Sequence, residues 1–258
     1  MNDVRIRYAV TEDKVRIERL LEEAQLPFVD IKEHLDDFLV AECKNVIVGA
    51  VGIEIYGEVA LLRSLVVAPS FKNCGVGRTL YEGIVAYAHL NGVRELFLLT
   101  TTASQLFKKL GFHKVVRSEL PKLIQETNEF KSLCPASAVC MVKRIDGEAF
   151  HVPREVLRLQ KSVPGATMWA VALETAMFTY FDIAPNSRFK MHKHESEQIT
   201  YVIEGRLDFE IGDKSVSVGP GDIIAIPSNV PHAASAGNEH VRAVDAWSPV
   251  RKDFIHKK

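Results

Sequence analysis

Two short stretches hold residues whose types and spacing could do chemistry. In "MHKHESEQITYVIEG", Met191–Gly205, His192 and His194 stand one residue apart and are followed by Glu195, Glu197 and Gln198. Imidazoles bind transition metals, and a carboxylate or amide can complete such a set; the alternative is a solvated edge strand. Residues two apart in a strand share a face. His192, His194 and Gln198 then point one way and the two glutamates the other, provided no bulge falls between His194 and Gln198. Downstream, "VGPGDIIAIPSNVPHAA" adds His232. Three imidazoles on one interior face would otherwise need three separate partners. The expectation is a divalent ion on His192, His194, Gln198 and His232. That neutral set leaves the ion's full charge to polarise a bound oxygen, and it suits Zn, Ni, Fe, Mn or Cu without choosing among them.

The second stretch is "LLRSLVVAPSFKNCGVGRTLYEG". A strand passes through Pro69 into Lys72, Asn73, Cys74, Gly75, Val76, Gly77, Arg78 and Thr79, and a helix starts inside the glycine pair. Glycines let backbone approach a ligand, and the unpaired N–H groups of a helix start attract anions, so a diphosphate fits. A tight strand-to-helix turn with no ligand is the plainer alternative. Arg63 lies in the preceding apolar strand, where an unpaired guanidinium is costly. It either pairs with a carboxylate of its own domain or grips an anionic substrate group. Glu54 is a candidate water-linked base or else a surface glutamate. Cys134 and Cys140, in "LCPASAVC", read as small buried hydrophobes in preference to thiolate ligands for arsenic.

The elements around these residues divide the chain. "RIRYAV" reads as a strand, with Thr11 capping an amphipathic helix to about Gln25. "FLVAE" and "VIVGAVGIEIYG" read as an antiparallel pair, and "EVALLRSLVVAP" as a long strand feeding a helix from about Gly75 to Leu90. "ELFLLTT", "FHKVV" and "SAVCMVKRI" follow as strands, and "ASQLFKKL" as a short helix closed by Gly111. After "DGEAFHVP" only short alternating strands and Gly, Pro and Asn turns continue. The boundary is placed near Asp146–Val152: an α+β domain at 1–147 and an all-β domain at 148–258. No internal repeat or low-complexity segment interrupts either.

Bulk properties narrow the partners. Of 258 residues, 47% are hydrophobic, enough for two cores, and no run is long and apolar enough to span a bilayer. A net charge of -1 offers no field for nucleic acid or an anionic membrane. The N-terminus lacks a signal-peptide layout, and the four cysteines form no zinc-type pair, so a reducing cytoplasmic setting is expected. Small molecules or protein are the expected partners.

The first half resembles the GNAT acetyltransferases, whose signature Q/R-x-x-G-x-G/A is followed by a strand and an aromatic-rich helix ending in GF. "KNCGVG" and "ELFLLTTTASQLFKKLGF" carry the match, with Lys72 at the first position; "ALLRSLVVAP", "LFLLTTTA" and "LCPASAVCM" resemble the GNAT-like proteins of arsenic-resistance operons. The resemblance, over about residues 3–145, implies acetyl-CoA with its pyrophosphate on the amides of Cys74–Arg78. It also implies a thioester carbonyl along Leu65, Val66 and Val67, where a backbone N–H serves as oxyanion donor. Many members keep a tyrosine general acid where this chain has Phe107.

The second half resembles a cupin, a double-stranded β-helix. His192, His194, Gln198 and Gly205 stand in HxH-x3-E-x6-G with Gln for Glu; Gly221, Pro227, Asn229 and His232 stand in G-x5-PxG-x2-H with Asn for the last Gly. The ending "DAWSPVR" is similar to the D-x-F-x-P-P-R of small cupins that convert unsaturated uronates. That resemblance gives Asp245 and Arg251 the proton transfer and the sugar carboxylate; a salt bridge between them is the alternative, and Asp245 and Trp247 share an inward parity. It also implies a homo-oligomer, a dimer by strand exchange. The expected whole is an N-acetyltransferase for a small amine, anionic if Arg63 grips it, fused to a metal-binding cupin. The cupin either catalyses or senses.

Overall fold

The computed structural model describes residues 4–255. Their backbone divides into two compact units between Val156 and Leu157, beyond the change of composition at Asp146–Val152. The intervening residues pack on the first unit: Phe150 stacks on His89 with ring centroids 4.0 Å apart, and the Val156 carbonyl accepts a 2.8 Å hydrogen bond from the Tyr8 hydroxyl.

The first unit is a seven-stranded sheet in the order β1-β2-β3-β4-β5-β7-β6. Its strands are β1 (Val4–Tyr8), β2 (Phe38–Cys43), β3 (Val46–Tyr56), β4 (Val59–Val67), β5 (Glu95–Thr100), β6 (His113–Lys114) and β7 (Val139–Arg144). The helices are α1 (Lys14–Glu23), α2 (Ile31–His34), α3 (Val76–Leu90), α4 (Ser104–Lys109) and α5 (Lys122–Gln125). Helix α3 buries Val76, Leu80, Ile84 and Ala88 at a four-residue spacing, the stripe of an amphipathic helix. Strand β3 reads as nearly continuous apolar sequence and is buried from Ile47 to Glu54. Gly52 lies under Phe38, whose ring would be 2.4 Å from any Cβ there. Thr11 does not cap α1. It opens a 3-10 turn, Thr11–Asp13, and the Asp13 carboxylate accepts the Val10 N–H at 2.9 Å instead.

Among the described residues β4 and β5 are the only parallel pair in this sheet, in register from Val59↔Glu95 to Leu61↔Phe97. Beyond Leu61 they part, and the backbone edge of Arg63–Val67 is left without a β5 partner. On its other side β4 is paired to β3 with a register shift between Ala50 and Gly52, and Ser64 takes φ +58° in the resulting bulge.

Among the described residues the regular elements of the second unit are strands and one 3-10 turn, Lys252–Phe254. Its strands are β8 (Gln160–Lys161), β9 (Ala166–Ala172), β10 (Met177–Ile183), β11 (Arg188–His192), β12 (Glu197–Glu204), β13 (Leu207–Ile211), β14 (Lys214–Val218), β15 (Ile223–Ile226), β16 (His232–Ala236) and β17 (Val241–Ser248). Two antiparallel sheets, β15-β12-β17-β10-β9-β8 and β11-β16-β13-β14, enclose one core. Strict alternation aims the inner residues: β12 buries Gln198, Thr200 and Val202, and β17 buries Val241, Ala243, Asp245 and Trp247.

Candidate functional sites

In the first unit the glycine-rich turn opens α3. Gly75 is its N-cap at φ +84°, a conformation that favours glycine, and Asn73 also has positive φ at +61°. A Cβ at Gly75 would meet nothing within 4 Å, so the space above the turn is open. Lys72, Asn73, Cys74, Arg78 and Thr79 are exposed around it, while Val76 anchors the helix in the core and Gly77 lies against Val67 of β4. The first N–H groups of the helix have no intrahelical acceptor and face that space. Leu65, Val66 and Val67 lie on the unpaired edge of β4 beside it. Phe107 is buried and packs edge-on against Phe112 at 5.6 Å.

Arg63, on the same strand, is 4% exposed and paired with carboxylates. Asp30, just before α2, takes its Nη2 at 2.6 Å and its Nη1 at 2.9 Å. Glu54 of β3 accepts from Nη1, and Glu129, from a π-helical turn at Glu129–Leu133, lies 3.2 Å from Nε. Four of its five N–H groups are directed at these three carboxylates, so the internal pair is the alternative that holds. Burial alone would raise the Asp30 carboxyl, but the hydrogen bonds and charge of Arg63 outweigh it and hold the group below the usual range. At Glu129 burial wins over Arg63 and the carboxyl is pushed up.

Glu54 is corrected as a surface group. It is 3% exposed, with one oxygen on Arg63 and the other accepting from the Tyr56 hydroxyl at 2.7 Å. Cys134 donates its thiol to Glu129 at 3.0 Å, and burial together with that bond pushes it up to about 12. Cys140 is buried. Asp30 and Glu129 were missed in sequence because nothing local marks a residue whose partner is a distant arginine.

In the second unit the histidines come from three different places. His192 ends β11 directly opposite His232, which begins β16; His194 lies in the corner that crosses to β12, where Gln198 points inward. The single strand assumed for His192 to Gln198 is broken at Lys193–Ser196, because the chain changes sheets there. The register shift in β11 falls before His192. Glu195 and Glu197 are exposed. Asn229 holds the corner by donating its N–H to the His194 carbonyl at 2.8 Å, and it takes the left-handed φ of +62° that the motif's glycine would take.

Each imidazole is oriented by its Nδ1. His192 bonds the Lys190 carbonyl at 2.8 Å, His194 the Ser196 carbonyl at 2.7 Å and His232 the Val230 carbonyl at 2.8 Å. A carbonyl only accepts, so Nδ1 carries the proton in each ring and Nε2 presents a lone pair. Burial lowers the pKa of His194 and His232, which favours those neutral rings. The three histidines have ligand atoms within 4.8 Å of one another. The Gln198 Oε1 stands 3.3 Å from Nε2 of His194, while its Nε2 donates to the Thr200 hydroxyl at 2.9 Å. With no proton on Nε2, two acceptors face one point, an arrangement that a cation between them would satisfy. His192, His194, His232 and Gln198 could therefore hold a divalent ion.

A cavity of ≈ 850 Å³ lies against this centre, and Lys161, Arg188, Lys190, Asp245 and Arg251 are among its lining residues. Asp245 is 5% exposed; burial pushes its carboxyl up to about 7 against hydrogen bonds from Thr200 and Gln198, and its Oδ1 has no partner. Arg251 does not bridge to Asp245. Its Nε and Nη2 bind Asp253 at 3.0 and 2.7 Å, its guanidinium lies 4.4 Å over Phe254, and its buried Nη1 has no hydrogen bond. Thr200 was missed in sequence, although the alternation of β12 marks it as inward.

The fold and the two sites define an acyltransferase-type α+β unit followed by a barrel with a three-histidine centre. A family model for the acetyltransferase (GNAT) domain matches residues 34–114, and one for the cupin domain matches residues 179–247. An N-acetyltransferase of Chlorobaculum tepidum, itself uncharacterized, is 36% identical over 114 residues, which are 43% of this chain and 70% of the relative. Among solved structures, KdgF from a Halomonas species is 26% identical at TM-score 0.38, over 40% of this chain and 96% of its own. The N-acetylglutamate synthase of Neisseria gonorrhoeae, complexed with coenzyme A and L-arginine, is 22% identical at TM-score 0.49, over 56% and 34%. The chain belongs to the GNAT N-acetyltransferases through its first unit and carries a cupin domain as its second. No helix among the described residues is long and apolar enough to cross a membrane.

Proposed function

We propose that the first unit transfers the acetyl group of acetyl-CoA to a small primary amine. The observation that carries this reading is the open edge of β4, Leu65–Val67, beside a helix start whose glycine leaves room for a diphosphate. The pyrophosphate would rest on the N–H groups of Cys74–Arg78, with Lys72 adding charge. The thioester carbonyl would accept from a β4 N–H while the amine attacks its carbon and the C–S bond breaks. Phe107 has no proton to give the departing thiolate, so solvent supplies it and takes the proton of the amine. Because Arg63 is buried and paired with Asp30, Glu54 and Glu129, acceptor binding does not depend on an anionic group at that residue.

For the second unit we infer one divalent transition ion on His192, His194, His232 and Gln198, which when bound would polarise a ligand oxygen. The cavity suits a small anion such as a sugar acid: Lys161, Arg188 and Lys190 line it, and the unpartnered Nη1 of Arg251 offers a further donor. The buried carboxyl of Asp245, with Oδ1 unpartnered, favours chemistry over simple sensing, since a binding site needs no acid or base there. The transferase reading is tested on the full chain by thermal unfolding with and without acetyl-CoA. A ligand that binds only the folded state raises the melting temperature. Gly75→Asp should abolish that rise, and an unchanged rise would sink the cradle.

A further inference from the structure

The two ends of an amide are nearly alike in shape, yet only the oxygen can ligate a cation, because the nitrogen end is a donor. At Gln198 the two orientations differ in what they leave at His194. With its nitrogen toward the histidines, the amide would donate to the bare Nε2 of His194 and satisfy both atoms. The amide is the other way round, with Oε1 at 3.3 Å from that Nε2. The cause lies on the far side of the side chain. Thr200 stands two residues along β12 on the same inner face, buried and directly opposite Asp245 of β17. A threonine hydroxyl has one hydrogen to give. Thr200 gives it to the Asp245 carboxyl, so its oxygen is left as an acceptor and takes the Gln198 Nε2 at 2.9 Å. Asp245 accepts from the same amide. Reversal would set the amide oxygen against a hydroxyl oxygen and a carboxyl oxygen. Thr200 could relieve one of those clashes only by withdrawing its hydrogen from Asp245.

We propose that Thr200 is a positioning residue of the candidate metal centre, a role that rests on the ligand set inferred above. Its hydroxyl, with its direction fixed by Asp245, holds Gln198 with Oε1 toward the point that His192, His194 and His232 share. A neutral amide needs such a partner to serve as an oxygen ligand. A carboxylate at the same position would not, since both of its ends are oxygen. Thr200 touches no ion in this arrangement; it acts through Gln198. Groups that orient a metal ligand in this way typically change metal affinity by about 10–100-fold when removed.

The test uses the full chain, stripped with chelator and titrated with Zn²⁺ against a chromophoric chelator, so that the readout is a dissociation constant and not turnover. Thr200→Val keeps the branched shape without the hydroxyl and should weaken zinc binding about tenfold or more. Thr200→Ser keeps the hydroxyl and should stay within about threefold of the wild type. In the Gln198→Glu background, Thr200→Val should change the affinity by less than about threefold, and that coupling separates orientation from packing. Melting temperatures in chelator establish that each variant is folded, and Thr200→Ala replaces Thr200→Val should the latter not fold. Unchanged zinc affinity in the variant without the hydroxyl overturns the role of Thr200 and leaves the ligand set standing. A loss shared by Thr200→Ser, or one equally large in the Gln198→Glu background, overturns it in the same way. A wild type that binds no zinc, or a His194→Ala variant that binds it as tightly, overturns the ligand set and the role of Thr200 with it.

Discussion

Gln198 holds its Oε1 3.3 Å from Nε2 of His194, with both atoms acting as acceptors. That opposition makes the ligand set testable by metal content alone. His194→Ala should remove most of the metal measured by elemental analysis, since the set loses a strong donor. Glu197→Gln should leave it near stoichiometric, because Glu197 is exposed on the other side of β12. Gln198→Glu should retain metal and shift preference toward harder ions. Loss of metal in Glu197→Gln with retention in Gln198→Ala would reverse the assignment.

Asp245 gives the metal-stripped protein a pH signature. Its folded carboxyl, raised by burial to about 7, lies above the unfolded value of about 3.9. The folded state therefore holds the proton longer, and this group's contribution to stability is greatest below about pH 4 and declines as pH rises toward 7. Asp245→Asn should flatten that decline and be the more stable protein at pH 8, by up to a few kcal/mol at about 1.4 kcal/mol per unit. Denaturant unfolding of the second unit in chelator at pH 5 and pH 8 measures it. An equal slope in both proteins would contradict the assignment.

Arg63→Leu should destabilise the first unit by about 3–5 kcal/mol, because three carboxylates would lose their buried counter-charge. Arg63→Lys should recover only part of this, since an ammonium cannot reproduce the two-point grip on Asp30. For Asp30, whose folded pKa is depressed, the stabilisation is present above the unfolded value near 4 and lost as pH falls below it. The deficit of Arg63→Leu should accordingly shrink in acid. Chemical unfolding at pH 7 and pH 3 is the measurement, and wild-type stability in Arg63→Leu at pH 7 would contradict the pairing.

The Tyr81 hydroxyl is buried without a hydrogen-bond partner, and burial pushes its pKa up to about 12. Tyr81→Phe removes an unsatisfied group and keeps the ring that packs on Phe112. It should leave stability unchanged or raise it by about 1 kcal/mol. A loss of more than that would mean the hydroxyl has a partner when the protein is folded in water.

Local chemistry in the sequence was enough for the helix start at Gly75 and for the inward aim of Asp245 and Trp247. A positive φ that favours glycine, and a side-chain period of two, need no knowledge of distant residues. The partners of Arg63 were not legible, because Asp30 and Glu129 reach it only after three separate elements fold around β4. The histidine centre was legible in composition and not in path. Parity along one strand pointed to Gln198, yet the chain turns a corner at Lys193–Ser196, and backbone carbonyls set the ring orientations. Thr11 looked like a cap, but the bidentate Arg7–Asp13 pair draws Asp13 into that role at the Val10 N–H.

The bulge at Ser64 gives β4 one residue more than β3 needs opposite Val51. Its removal would straighten the strand without breaking the ladder, because Val66 would still pair with Ala50 and keep its face. The local bend and added twist that a bulge gives β4 would go with it. Substitutions at Ser64 that tolerate the left-handed turn, such as Asn or Gly, should thus be accepted far more readily than any deletion. In a lineage of such chains, length between Val59 and Gly75 would be held fixed while the identity of residue 64 drifts.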